Sequence, residues 1–289
     1  LSNVDEFPYF GRMLAPDDRR GEVGALVAAL RLYGWDRISI LSTDTQYGKD
    51  WAKEFRALWE GEHDSWTGEI AYSNTIRLDI DGTIDEESVR QGLREVPTDN
   101  PETNSRIILL AAHSQHAFPI LEIADSIGFQ PDTIWVGPSS WIGSTSLTNS
   151  QVSPWMKRHP GYLGAVPFSN ENDVIFQAFL SALQQKQELE NREVWDTLPI
   201  FGPQLVDSVI TMVMTLVSVE PLRRRQGLLV FDSMKAMEFD GVGGKVHFTD
   251  EGDLKDPQFS IMQLGEYVNG EDPVWSKVGL TGTQVDTAR

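Results

Sequence analysis

The stretch R-I-S-I-L-S-T-D-T-Q-Y-G-K-D, Arg37 to Asp50, decides how the chain is read. Its first six residues, Arg37 to Ser42, form an apolar run of strand length. A turn follows, then a helical pattern from about Gly48 to Glu60 that sets Trp51, Phe55 and Leu58 on one side. Just upstream, Glu22 to Tyr33 places Val23, Leu26, Val27 and Leu30 on one helical face, with Gly34 as the stop. Helix, strand and helix in that order point to an α/β fold.

The alternation continues outward. A weaker strand near Glu69 to Tyr72 precedes a helix over Glu86 to Glu95. Ile107 to Ala112 is continuously apolar, as a strand buried on both faces requires. Ala117 to Ile127 reads as a helix stopped by Gly128, with Phe129 packing behind it. Thr133 to Gly137 is a further buried strand, followed by a Ser/Thr/Asn-rich stretch from Ser139 to Ser153. Tyr162 to Val166 reads as strand, and helices follow over Asp173 to Leu189, Pro203 to Val219 and Gly227 to Met237. Lys245 to Phe248 and Phe259 to Leu264 read as a terminal hairpin joined by the acidic turn T-D-E-G-D-L-K-D-P.

Composition narrows the function classes. The 289 residues carry 43 acidic and 24 basic side chains, a formal net charge of −19. Such a chain lacks the clustered Lys and Arg that neutralise nucleic-acid phosphates, and an anionic membrane surface repels it. There is no cysteine, which excludes disulfides, thiolate nucleophiles and Cys-ligated zinc. The most apolar helical stretch, Leu205 to Val219, is short for a membrane span and contains Asp207.

Several short motifs invite sharper readings. D-I-D-G-T, Asp79 to Thr83, spells the nucleophile motif of dehalogenase-type phosphatases. Arg77 interrupts the buried strand such a nucleophile needs in front of it, so the competing reading is a solvated loop in which Asp81 or Thr83 caps the next helix. His113 and His116 stand one helical turn apart but lack a third metal ligand. The run Asp250, Glu251, Asp253, Asp256 lacks the spacing of a calcium loop. No cofactor or metal is called for, and no catalytic constellation survives.

Longer segments taken in order are more informative. F-P-Y-F-G-R-M-L-A-P-D-D (Phe7 to Asp18), Y-G-W-D-R-I-S-I-L-S-T-D-T-Q-Y-G-K-D (Tyr33 to Asp50), F-D-G-V-G-G-K-V-H-F-T-D-E-G-D (Phe239 to Asp253), F-S-I-M-Q-L and W-S-K-V-G together resemble the receptor-family ligand-binding region. That family has the type I periplasmic-binding-protein fold of class C G-protein-coupled-receptor and receptor guanylyl cyclase ectodomains. The resemblance implies an α/β fold with two lobes, a ligand cleft between them and signalling by lobe closure. On the family pattern lobe 2 is complete and lobe 1 partial. Residues 1–15 close the first lobe 1 segment, 16–160 form lobe 2, 161–250 return to lobe 1, and 251–289 return to lobe 2.

The same resemblance implies a small-molecule ligand, amino-acid-like or other, held on the extracellular face of a membrane protein. Homodimers are common in the family, and the membrane would be reached only through segments outside this chain. A secreted or periplasmic solute-binding protein is the alternative. Asp17 matches the cleft aspartate of the family, and Tyr47 the tyrosine that stacks over the ligand. Ser139 stands where the family has an acid for the ligand's ammonium group, with Ser140 and Trp141 after it; a neutral hydroxyl cannot supply that charge-assisted contact. His113 and Ser114, at the end of the Ile107 to Ala112 strand, are further cleft candidates.

Overall fold

The structure is a computed structural model describing residues 9–15, 17–61, 68–97, 105–129, 133–146, 161–265 and 275–282. The chain divides into two compact units: Asp17–Val166 with Phe259–Arg289, and Leu1–Pro16 with Pro167–Gln258.

The first of these opens with α1 (Glu22–Leu32), which buries Val23, Leu26, Val27 and Leu30. It ends at Gly34, whose φ of +72° suits a residue without a side chain, and whose neighbour Trp35 returns a hydrogen bond to Leu30 O. Next come β1 (Arg37–Thr43) and α2 (Gln46–Trp59), capped by Thr45 Oγ1 accepting from the Gly48 N–H. The buried stripe of α2 is Trp51, Phe55 and Trp59, ring upon ring at 6.0 and 5.5 Å. Trp59 rather than the expected Leu58 carries that stripe into the core.

β2 (Glu69–Ile76) runs four residues past its expected end. The cap of α3 (Glu86–Arg94) is Asp85, which accepts from the N–H groups of Glu87 and Ser88; Asp81 instead closes its own turn onto Thr83. β3 (Ile107–Ala111) is wholly buried and feeds α4 (Ser114–Ser126). β4 (Ile134–Val136) feeds α5 (Ser139–Ser146), a helix the polar composition of this stretch concealed. β5 (Leu163–Pro167) follows.

The chain then builds the other unit from α6 (Val174–Leu189), α7 (Gly202–Ser218), α8 (Gly227–Lys235), β6 (Glu238–Asp240) and β7 (Lys245–His247). Its core joins Phe176, Leu180, Leu198 and Val242. On α7, Asp207 is buried and accepts from the Val242 and Gly243 N–H groups, both at 2.7 Å, fixing the turn between β6 and β7. Burial pushes its carboxyl up, and those two bonds hold it partly down.

The chain finally returns through β8 (Gln258–Leu264) and β9 (Trp275–Gly282). The expected terminal hairpin is therefore corrected: β7 pairs antiparallel with β6, while β8 joins a different sheet. The acidic turn between them is tied elsewhere, with Asp253 paired at 2.7 Å to Arg12 and Leu254 N–H bonded to Arg12 O.

The seven-stranded sheet has the order β2-β1-β3-β4-β5-β8-β9, and the pairings of β1 with β2, β1 with β3, β3 with β4 and β4 with β5 are parallel. One core cluster gathers Leu41, Ile108, Leu110, Ile120, Leu121, Trp135, Trp141 and Tyr162. The chain is a mixed α/β protein with a mostly parallel sheet, the architecture of the type I periplasmic-binding-protein-like folds.

Candidate functional site

The order β2-β1-β3 means that the chain leaves β1 on one side for β2, then crosses back to lay β3 on the other. The crevice at the carboxyl ends of β1 and β3 is the switch point of the sheet, where open α/β proteins hold ligands. The strands β1, β3 and β4 are consecutive there, and each delivers a residue to that edge.

After β1 comes Tyr47, in the first turn of α2. After β3 comes His113, the residue before α4, whose carbonyl accepts the N–H groups of His116 and Ala117. The two rings stack with centroids 3.7 Å apart and planes 16° from parallel. Gly48 makes this approach feasible. A Cβ there would meet Thr43 O at 2.5 Å and Ala111 O at 2.8 Å, so only glycine lets α2 rest on the ends of both strands.

After β4 come Ser139 and Ser140, which begin α5. The Ser140 side chain lies near enough to the Tyr47 hydroxyl to oppose, weakly, the rise in its pKa. Both donors of Ser139 are committed to Glu22 in the first turn of α1: its N–H donates to Oε1, and its hydroxyl to Oε2 at 2.9 Å. Glu22 is 5% exposed. Burial and the nearby charge of Asp17 push its carboxyl well above the ordinary range, against the pull of the two Ser139 bonds. Burial, Glu22 and Asp17 raise the Tyr47 hydroxyl in turn, so it stays a neutral donor. Burial and then His116 lower the His113 imidazole, which favours the neutral ring.

The structure thus brings Tyr47, His113, Ser139 and Ser140 together along one sheet edge. Asp17 is exposed, acts on Glu22 and Tyr47 through its charge, and leaves the helix-entry bond to Asp18, which accepts the Arg20 N–H at 2.8 Å. Ser114 is half-buried at the start of α4. Trp141 is 1% exposed, donates Nε1–H to Ala112 O at 2.8 Å and meets Tyr162 edge-on, so it anchors α5 from beneath.

His116 is buried beside Gln115, whose side-chain amide it meets at 3.3 Å, and takes no part in the Tyr47–His113 stack. Asp79 lies in an exposed turn, three residues beyond β2, where its carbonyl accepts the Gly82 N–H. Among the described residues no group of three or more acidic or histidine side chains is arranged to hold a metal ion.

Glu22 is the residue that sequence reasoning passed over. An acid in a first helical turn reads as a favourable partner of the helix dipole. The signal was its alignment with Leu26 and Leu30, four and eight residues on, along the buried stripe of α1.

The family model described as "Receptor family ligand binding region" matches residues 1–266, and the chain belongs to that family. It is a receptor ligand-binding region, and its relatives are receptors rather than enzymes. Metabotropic glutamate receptor 6 of Rattus norvegicus is 24% identical over 201 residues, 68% of this chain and 20% of that protein. Metabotropic glutamate receptor-like protein E of Dictyostelium discoideum is 24% identical over 285 residues, 95% of this chain and 32% of its own length. Metabotropic glutamate receptor 8 of Homo sapiens is 22% identical over 167 residues, 57% of this chain and 16% of that receptor. The chain therefore spans a third or less of these relatives.

Proposed function

We propose that the protein is the ligand-binding part of a cell-surface receptor, exposed outside the cell, and that it takes a small molecule at the carboxyl edge of β1, β3 and β4. The observation that carries this is the Tyr47–His113 stack over the switch point, bordered by Ser139 and Ser140. An aromatic platform with a few convergent hydroxyls is the usual composition of a small-molecule site. Ligand capture then shifts the population of a chain built from two units, and the rest of the receptor reads that shift. The greater length of the receptor relatives supports an output carried elsewhere in the protein.

The test is thermal shift with a panel of amino acids and amines, on the protein and on Tyr47→Ala. A panel member that raises the melting temperature of the parent should fail to raise that of the variant, while the two unliganded melting temperatures stay close. A ligand-induced shift of equal size in both would overturn the assignment of the site.

A further inference from the structure

We propose a second, accessory ligand site on the same unit: the groove between α3 and α4, which takes a small neutral molecule carrying an amide on an apolar body. It is separate from the ligand site proposed above, since neither Tyr47 nor His113 lines it.

The first observation is the groove itself. It encloses about 580 Å³ between the first turns of α3, the front half of α4 and the turn that precedes α3. Ile84, Pro119 and Ile123 give it apolar walls. Gly82 and Thr83 close one end, in a turn bonded to itself. There the Thr83 N–H and hydroxyl donate to Asp81 at 3.0 and 2.6 Å, and the Asp79 N–H donates to Thr83 O at 2.8 Å. Part of the motif that spells a phosphatase nucleophile thus walls a groove.

The second observation is a polar group in want of a partner. His116 lines the groove and is 8% exposed, and its Nδ1 is buried with no hydrogen-bond partner among the described residues. Its Nε2 meets the side-chain nitrogen of Gln115 at 3.3 Å. An amide nitrogen only donates, so Nε2 accepts and the ring proton stays on Nδ1. A buried N–H without an acceptor is costly, and native proteins keep few of them. Pro119, inside α4, has no N–H to give, so the Gln115 carbonyl lacks its usual donor four residues on. Neighbouring residues of α4 therefore offer a donor and an acceptor that the helix itself does not answer.

Charge narrows the ligand further. Two carboxylates, Glu86 and Glu122, line the groove against one guanidinium, Arg90, which lies 3.5 Å from Glu86. An anion is repelled there. A cation brings no lone pair to the His116 N–H. A neutral amide brings a carbonyl for His116 and an N–H for Gln115 O, and its apolar part covers Ile84, Pro119 and Ile123.

The experiment is a titration followed by NMR of the Ile84 and Ile123 methyl groups. The probes are N-methylbenzamide, benzylamine and benzoate, which share a phenyl ring and differ in charge. N-methylbenzamide should move both methyls at concentrations about tenfold or more below those the other two need. His116→Phe keeps a ring but removes the N–H, and should weaken the amide about tenfold. Ser126→Trp fills the groove from an exposed position, so it tests the site even where His116→Phe fails to fold. It should abolish the shifts, whereas Tyr47→Ala should leave them unchanged.

The proposal is overturned if benzylamine or benzoate binds as tightly as the amide, or if no probe moves either methyl. Undiminished amide binding in folded His116→Phe or in Ser126→Trp overturns it as well. Shifts lost in Tyr47→Ala would assign the amide to the Tyr47 edge, sinking the groove and leaving the receptor site standing.

Discussion

A carboxyl in the first turn of a helix is usually welcome, because the free N–H groups and the helix dipole favour negative charge there. Glu22 departs from this because its side chain turns inward with Val23 and Leu26. Its pKa in the folded protein lies above the ordinary 4.5, so the native state keeps a proton that the unfolded chain has already lost. The unfolded state binds fewer protons in that window, so stability falls as pH rises from about 4.5 toward the raised value. Glu22→Gln removes the dependence. In urea titrations at a series of pH values, the variant should gain on the parent as pH climbs from 4.5 toward neutrality. Parallel curves for the two would show that burial does not perturb this carboxyl.

At the scale of elements, Gly48 decides how closely α2 can sit on β1 and β3. Gly48→Ala forces the first turn of α2 off the Thr43 and Ala111 carbonyls. The variant should lose about 1–3 kcal/mol in denaturant unfolding, as overpacked sites do. It should also lose ligand response at temperatures where its helical circular dichroism is still that of the parent. Full ligand response in a destabilised variant would mean that Tyr47 is not placed by this contact. The same elements show what could be read in advance. β1 and β3 were legible because continuous apolar runs such as Ile107 to Leu110 have few other uses. α5 was not, because S-S-W-I-G-S-T-S has little helical preference of its own. It is held by contacts distant in sequence, Ser139 to Glu22 above and Trp141 to Ala112 below. The supposed hairpin failed for a related reason: adjacency suggested a pairing of β7 with β8, but the intervening turn is bound to Arg12. Tyr47 and His113 were individually visible at strand ends, whereas their stacking depends on the order of the strands, which no local pattern encodes.

At the scale of the molecule, each unit has its own apolar core, one around Leu41, Ile108 and Trp135, the other around Phe176, Leu180 and Val242. Chains with separate cores depart from a single all-or-none transition. Asp207→Ala strips two backbone N–H groups of their acceptor beside the second core and should cost that unit about 2–4 kcal/mol. Differential scanning calorimetry should then show one transition moving down and the other staying in place. Both moving together would mean that the two cores melt as one body.

The bond between Glu22 and Ser139 spans 117 positions of the chain. Every parallel pairing in this sheet also requires a crossover, and such distant closures come late in folding because the entropy of the intervening chain must be lost before the contact forms. The carboxyl edge of β1, β3 and β4, the proposed ligand site, is therefore among the last parts of its unit to form. On the proposed site, a nascent copy with helices and apolar strands largely formed would stay deaf to any ligand until that edge closed.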